Sequence, residues 1–176
     1  MLERRHLSIA RVDGEPDRLR RIVALSLVAG VFTPAFSGRL LAASADKLSA
    51  DKRIEVWTGP SCGCCKEWVK HLQANGFDVL SHEGGNSEAR KRLGMPARYG
   101  SCHTAEIGGY AIEGHVPARE IHHLVEESPE AIGLSVPAMP RGSPGMDGPA
   151  YNNVQDPYDV LLIANDGSAR VFQSYR

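Results

Sequence analysis

Aromatic residues make up only 6% of this 176-residue chain, and its 20 lysines and arginines do not exceed its 21 aspartates and glutamates. A nucleic-acid-binding protein draws on a basic surface and on stacking rings, so no nucleic-acid partner is expected. There is no internal repeat and no low-complexity tract, which leaves one ordinary globular domain with a tail. Long apolar runs are also missing. The stretch "IVALSLVAGVFTPAF" (Ile22 to Phe36) falls short of the ~18 residues of a membrane span and contains Pro34, so no stable span is expected. Cysteine is scarce too. The chain has four, and three of them crowd into "TGPSCGCCKEW", Thr58 to Trp68.

What is present at the N-terminus reads as an export signal. Residues 1 to 21 carry six arginines, the apolar run follows, and "LLAASAD" then offers a small-residue cleavage site at Ala43-Ser44-Ala45. The expected organisation is a signal peptide over residues 1–45 and a mildly acidic mature domain over 46–176, delivered to the periplasm. All four cysteines lie in that mature part, in an oxidising compartment where thiols tend to pair. The bland expectation is therefore two disulfides. Pairing Cys64 with Cys65 is disfavoured, because neighbouring Cα atoms sit about 3.8 Å apart, below the usual disulfide range.

Hydrophobic spacing places the cysteines on elements. "RIEVWTG" alternates as a short strand, and Pro60-Ser61 turn the chain. Cys65, Trp68, Val69 and Leu72 then recur at i, i+3, i+4 and i+7, which gives a helical stripe ended by Asn75-Gly76. Cys65 opens the buried stripe, while Cys62 and Cys64 lie at the exposed helix mouth. Free N–H groups and the positive end of the helix dipole favour a thiolate there, the form that serves as redox nucleophile or as metal ligand. "FDVLSH" reads as a second strand and "NSEARKRLG" as a short solvated helix. "SCHTAEIGGYAIEGHVP" reads as a hairpin about Gly108-Gly109, and "AREIHHLVEE" as a helix opened by Pro117. The order β-α-β-α-β-β-α is that of a thioredoxin-like α/β domain, in which Cys102 and His103 come against the helix mouth. A Pro/Gly loop carrying Met139 and Met146 follows, and then an extra hairpin, "YDVLLIA" and "ARVFQSY", turned by Asn165-Asp166-Gly167.

The segments "SCGCCKEWVKHL", "SCHTAEIGGYAIEGHVP" and "GLSVPAMPRGSPGMD", with "YDVLL" after them, occur in an order that resembles the CopG-type periplasmic copper-resistance proteins, domain-of-unknown-function family 411. The resemblance spans roughly residues 53 to 175. It implies a thioredoxin-like fold, copper binding and a part in copper tolerance, with metal-binding cysteines at Cys62, Cys64, Cys65 and Cys102. Asp147 stands where the family often has Glu.

Donor chemistry leans the same way. Three thiolates in C-x-C-C can bridge several small ions, whereas tetrahedral zinc sites prefer C-x₂-C pairs. Soft thiolate and thioether donors select Cu(I), so copper is the expected metal, more than one ion per chain, with zinc as the alternative. Other periplasmic copper-handling proteins are the natural partners. The rival reading is a thiol-disulfide oxidoreductase using Cys62-x-x-Cys65, which has thioredoxin spacing. Against it, Ser101-Cys102-His103 takes the place where such enzymes carry a proline, and a third thiol would trap mixed disulfides. His103 and His115 are candidate further ligands, His115 with the plain alternative of hydrogen-bonding its own turn. His71 reads as solvated, His82 as a turn residue, and His122 and His123 point apart. Met139 and Met146 have few apolar neighbours in sequence and are candidate soft ligands or lids, whereas Met95 reads as core filler. Trp57 and Trp68 are expected in the core beside the site.

Overall fold

In the computed structural model, which describes residues 52–176, strand β1 (Arg53–Thr58) buries alternate residues Ile54, Val56 and Thr58 on one face. That is the period of two that a half-covered strand requires. The expected signal segment and its cleavage site lie outside the described residues. Helix α1 (Gly63–Ala74) carries the chain back and buries Cys65, Trp68 and Leu72, the predicted stripe. Strand β2 (Asp78–Glu83) then pairs parallel with β1, Arg53 opposite Asp78 through Thr58 opposite Glu83. Helix α2 (Ser87–Arg92) buries only Ala89. Strands β3 (His103–Ile107) and β4 (Tyr110–Glu113) form the expected hairpin about Gly108 and Gly109, and β3 pairs antiparallel with β1. Helix α3 (Ala118–Glu127) follows Pro117 and buries Ile121 and Leu124.

The tail differs from expectation in one respect. Within the stretch read as loop, Gly133–Ser135 forms strand β5, parallel to β4. The final hairpin, β6 (Tyr158–Ile163) and β7 (Ala169–Tyr175), joins the sheet through β5. The described residues form a mixed α/β fold with one seven-stranded sheet, ordered β2-β1-β3-β4-β5-β6-β7, and three α-helices. Three residues bounded by Gly and Pro carry too short a pattern to be read as a strand; β5 exists because neighbours on both sides complete its hydrogen bonds.

The sheet buries both faces. Ile54, Val56, Ile112, Leu134, Val160 and Leu162 pack with Trp68, Leu72, Ile121 and Leu124 of α1 and α3. On the opposite face Ala111 and Ile163 pack with Met95, as the strand period demands of residues adjacent to Ile112 and Leu162. Met95, 3% exposed, is the core filler it was read as. Trp68 is fully buried and donates its indole N–H to the Val116 carbonyl at 2.8 Å, which ties α1 to the approach of α3. Trp57 is not in this core. It faces the other way, stacked on His82 (5.3 Å between ring centroids) beneath the Arg92 guanidinium. Its neighbours Val56 and Thr58 take the inward positions, so alternation leaves it the outer face. Among the described residues no helix is long and apolar enough to cross a membrane.

Candidate metal centre

The cysteines meet where two distant stretches of the chain converge. Cys62 is the extended residue that starts α1, and its side chain makes no capping hydrogen bond. Cys64 and Cys65 belong to the first turn. Cys102 arrives from the segment just before β3, whose His103 pairs with Thr58 at the end of β1. The four sulfurs lie within 4.8 Å of one another. Cys62 and Cys65 form a disulfide, while Cys64 and Cys102 are free thiols. The Cys64 sulfur is 3.5 Å from that of Cys62.

Two histidines face Cys102 from the far side. His115 Nε2 lies 3.1 Å and His103 Nδ1 3.3 Å from the Cys102 sulfur, and the three donors form a second group within 4.8 Å. The Pro144 carbonyl, 2.7 Å from His115 Nδ1, can only accept, so Nδ1 carries the proton and Nε2 turns its lone pair to the thiol. His115 thus stands beside Cys102, and its hydrogen bond goes not to its own turn but to Pro144, 29 residues further along the chain. His103 is fully buried against Trp68, ring centroids 4.2 Å apart, and its Nε2 has no hydrogen-bond partner.

At Cys102, beside the helix mouth, burial sets the electrostatics. Burial, with the neighbouring Cys64 second, pushes the Cys102 thiol up to about 12. For this residue desolvation outweighs the helix end, because Cys102 sits beside the helix and not on it. Burial likewise holds His103 down to about 3 and lowers His115, so both rings are neutral and able to use a lone pair.

A loop roofs the cluster. Ser101 donates its hydroxyl to the Ala138 carbonyl, His115 bonds Pro144, and Gly145 lies directly on the first turn of α1. A Cβ on Gly145 would stand 2.6 Å from the Cys64 carbonyl oxygen. Met146 is therefore next to a residue that touches the helix mouth and is partly buried, whereas Met139 is 49% exposed. The other histidines among the described residues have plain roles, two of them different from the sequence reading. His71 is not merely solvated: its Nε2 accepts the Ala118 N–H at 3.1 Å and caps α3. His82 lies within β2, not in a turn. His122 and His123 do point apart, one onto Phe77 and the other onto Phe172.

Residues 99–146 match the family described as "Protein of unknown function, DUF411", a span that includes Cys102, both site histidines and both loop methionines. Two solved chains, named copper resistance protein copG (Form 2 and Form 1), are each 45% identical to this chain, cover 70% of it, and superpose with a TM-score of 0.65. This chain in turn covers 98% and 96% of them. It belongs to the CopG-type copper-resistance family. No curated protein sequence matches it. In the CopG-type fold described here, the clustered sulfurs are a donor set suited to a soft metal, and family membership with that cluster points to a copper-related function.

Proposed function

We propose that this protein binds Cu(I) through Cys62, Cys64, Cys65 and Cys102 and serves copper resistance, by sequestering the ion, passing it on, or exchanging an electron with it. One observation carries the reading. Four sulfurs from two distant stretches, Cys62 to Cys65 and Cys102, lie within 4.8 Å of one another in a member of a copper-resistance family. Thiolate donors select Cu(I) over harder ions, and three thiols in a C-x-C-C run together with Cys102 can bridge more than one small ion. Copper is the cargo here. His103 and His115 are placed to add imidazole donors beside Cys102, and Met146, more than the exposed Met139, is placed to add a thioether. The element order supports a thioredoxin-like arrangement extended by β5 to β7. The reading includes export, cleavage near Ala45, and work in the periplasm with other copper-handling proteins.

The Cys62–Cys65 disulfide favours a second reading, a thiol-disulfide oxidoreductase, because it joins a C-x-x-C pair at a helix N-terminus. In the copper reading the same bond must be reduced before all four sulfurs can ligate. Copper stoichiometry and insulin reduction, measured on reduced wild type and on Cys102→Ala, separate the two. The copper reading expects fewer Cu(I) ions per chain in Cys102→Ala, because losing a bridging sulfur removes coordination from more than one ion. The oxidoreductase reading expects a working Cys62/Cys65 dithiol in that variant. Unchanged copper stoichiometry sinks the four-cysteine site.

A further inference from the structure

Glu113, at the end of β4, is a carboxylate with no accessible surface. Its position opposite Ile112 in the strand period would suit an apolar residue, and "YAIEG" gives no sequence reason for a charge there. Its Oε1 accepts from Arg90 Nε (3.1 Å) and Nη2 (2.8 Å) and from the Ser101 backbone N–H (2.6 Å). Its Oε2 accepts the Thr104 hydroxyl at 2.6 Å. Arg90 Nη2 also donates to the Ser101 carbonyl at 2.7 Å, and Asn86 Nδ2 donates to the same oxygen at 3.2 Å. Both polar atoms of the Ser101 main chain are thus held by side chains from α2, its cap and β4. On the other side Gly114, at φ 70°, presses against the Ser101 side chain: a Cβ there would lie 2.7 Å from the Ser101 Cβ. The next residue is Cys102.

We propose that Glu113 and Arg90, assisted by Asn86, are positioning residues that lock the Ser101–Cys102 backbone so that the Cys102 sulfur stands against the other three. The inference rests on the reading of Cys102 as part of the copper site. A buried ion pair is a weak source of stability, since desolvation offsets much of its attraction. What the pair supplies is direction: a planar guanidinium fork engages carboxylate and carbonyl together, which a flexible ammonium cannot reproduce. Cys102 lies outside any strand, one residue before β3 begins, so it needs such a clamp to hold its sulfur in place.

The test uses the full chain and the variants Arg90→Lys, Glu113→Gln and Asn86→Ala. Arg90→Lys keeps the cation, and Asn86→Ala leaves no buried charge unpaired, so these two carry the test if Glu113→Gln fails to fold. Two quantities are read: Cu(I) retention by the reduced protein against a chromogenic chelator, and alkylation of Cys102 relative to Cys64 in the oxidised metal-free protein. Partners that orient a metal ligand typically change metal affinity about 10- to 100-fold, so Arg90→Lys should weaken retention about tenfold, and Asn86→Ala by less. Cys102 should alkylate several-fold faster while Cys64 keeps its rate. Wild-type retention with wild-type Cys102 alkylation in a folded Arg90→Lys overturns the proposal, and so does equal acceleration at both thiols, which reports general loosening. If Cys102→Ala keeps its full copper, the copper reading fails by itself, and the alkylation ratio in metal-free protein still decides whether the clamp exists.

Discussion

Replacing Gly145 by alanine should lift the roof from the cysteine cluster. The residue has φ 86°, and an added Cβ would meet the Cys64 carbonyl oxygen at 2.6 Å and the Trp68 nitrogen at 2.8 Å. Both are helix backbone atoms and cannot swing aside. The left-handed conformation costs alanine about 1–2 kcal/mol, and forcing a methyl into a filled space costs typically about 1–3 kcal/mol more. The expected loss is therefore roughly 2–5 kcal/mol. A domain of this size loses roughly 3–5 °C of Tm per kcal/mol, which sets the fall at roughly 6 °C or more. Gly76→Ala, just past the end of α1, is the control: its φ of 88° also strains an added Cβ, but nothing lies within 4 Å of that atom. Calorimetry of the reduced, metal-free proteins should rank wild type above Gly76→Ala and Gly76→Ala above Gly145→Ala. The Cys64 thiol should alkylate faster in Gly145→Ala alone. If the two variants melt together and Cys64 reacts alike in both, the loop does not press on α1, and the argument fails.

Under reducing, metal-free conditions Cys65→Ser should cost about 1–3 kcal/mol, since its only polar neighbour in reach, the Cys102 carbonyl, is 3.8 Å from the sulfur; Cys62→Ser should cost little, and equal melting temperatures would contradict the burial of α1. His71→Ala removes the acceptor at the first turn of α3 and should cost about 1 kcal/mol, read from urea unfolding at pH 7.5. Burial lowers His71, His103 and His115 below their ordinary 6.5, so the unfolded chain binds their protons more readily; stability should be complete above about pH 6.5 and decline as pH falls below it, and a level profile down to pH 4.5 would refute the burial of neutral rings. Met139→Leu with Met146→Leu should leave Tm unchanged yet speed Cu(I) transfer to a chelator, and unaltered transfer would assign both residues to packing.

Local pattern carried most of the fold into view. The Cys65, Trp68, Leu72 stripe, the Gly108-Gly109 hairpin and the Asp166-Gly167 hairpin are each decided within a dozen residues, and all three stand in the structure. The meeting of Cys102 with the C-x-C-C run was legible through element order and the family resemblance, not through local pattern, because it depends on β3 pairing beside β1. What escaped was decided by tertiary partners. His71 looks like one more polar residue on a solvated face until α3 brings Ala118 to its ring. Trp57 belongs to the outer face because the inward positions of β1 were already taken by Val56 and Thr58. Glu113 gave one signal, a charge inside an apolar hairpin strand, but nothing in the sequence names Arg90 as its partner.

The two uses of the cluster compete for the same sulfurs, and Cys65 is where they collide. It is the first buried residue of the α1 stripe, and it closes the disulfide with Cys62. With that bond formed, only Cys64 and Cys102 remain as thiols, and burial holds Cys102 protonated up to about 12. Cys102 therefore carries no charge in the metal-free, oxidised site, which suits its place beside the neutral rings of His103 and His115. A soft cation reverses the balance, since a coordinating thiol gives up its proton outright. His115 Nε2, oriented by Pro144 and 3.1 Å from the Cys102 sulfur, is a base in reach of that proton, and His103 Nδ1 lies 3.3 Å from the same sulfur. The burial that makes Cys102 a poor nucleophile on its own is thus compatible with its being a good ligand. The raised Cys102 thiol does not bear on the oxidoreductase reading, which rests on Cys62 and Cys65, so the copper stoichiometry of Cys102→Ala is what separates the two.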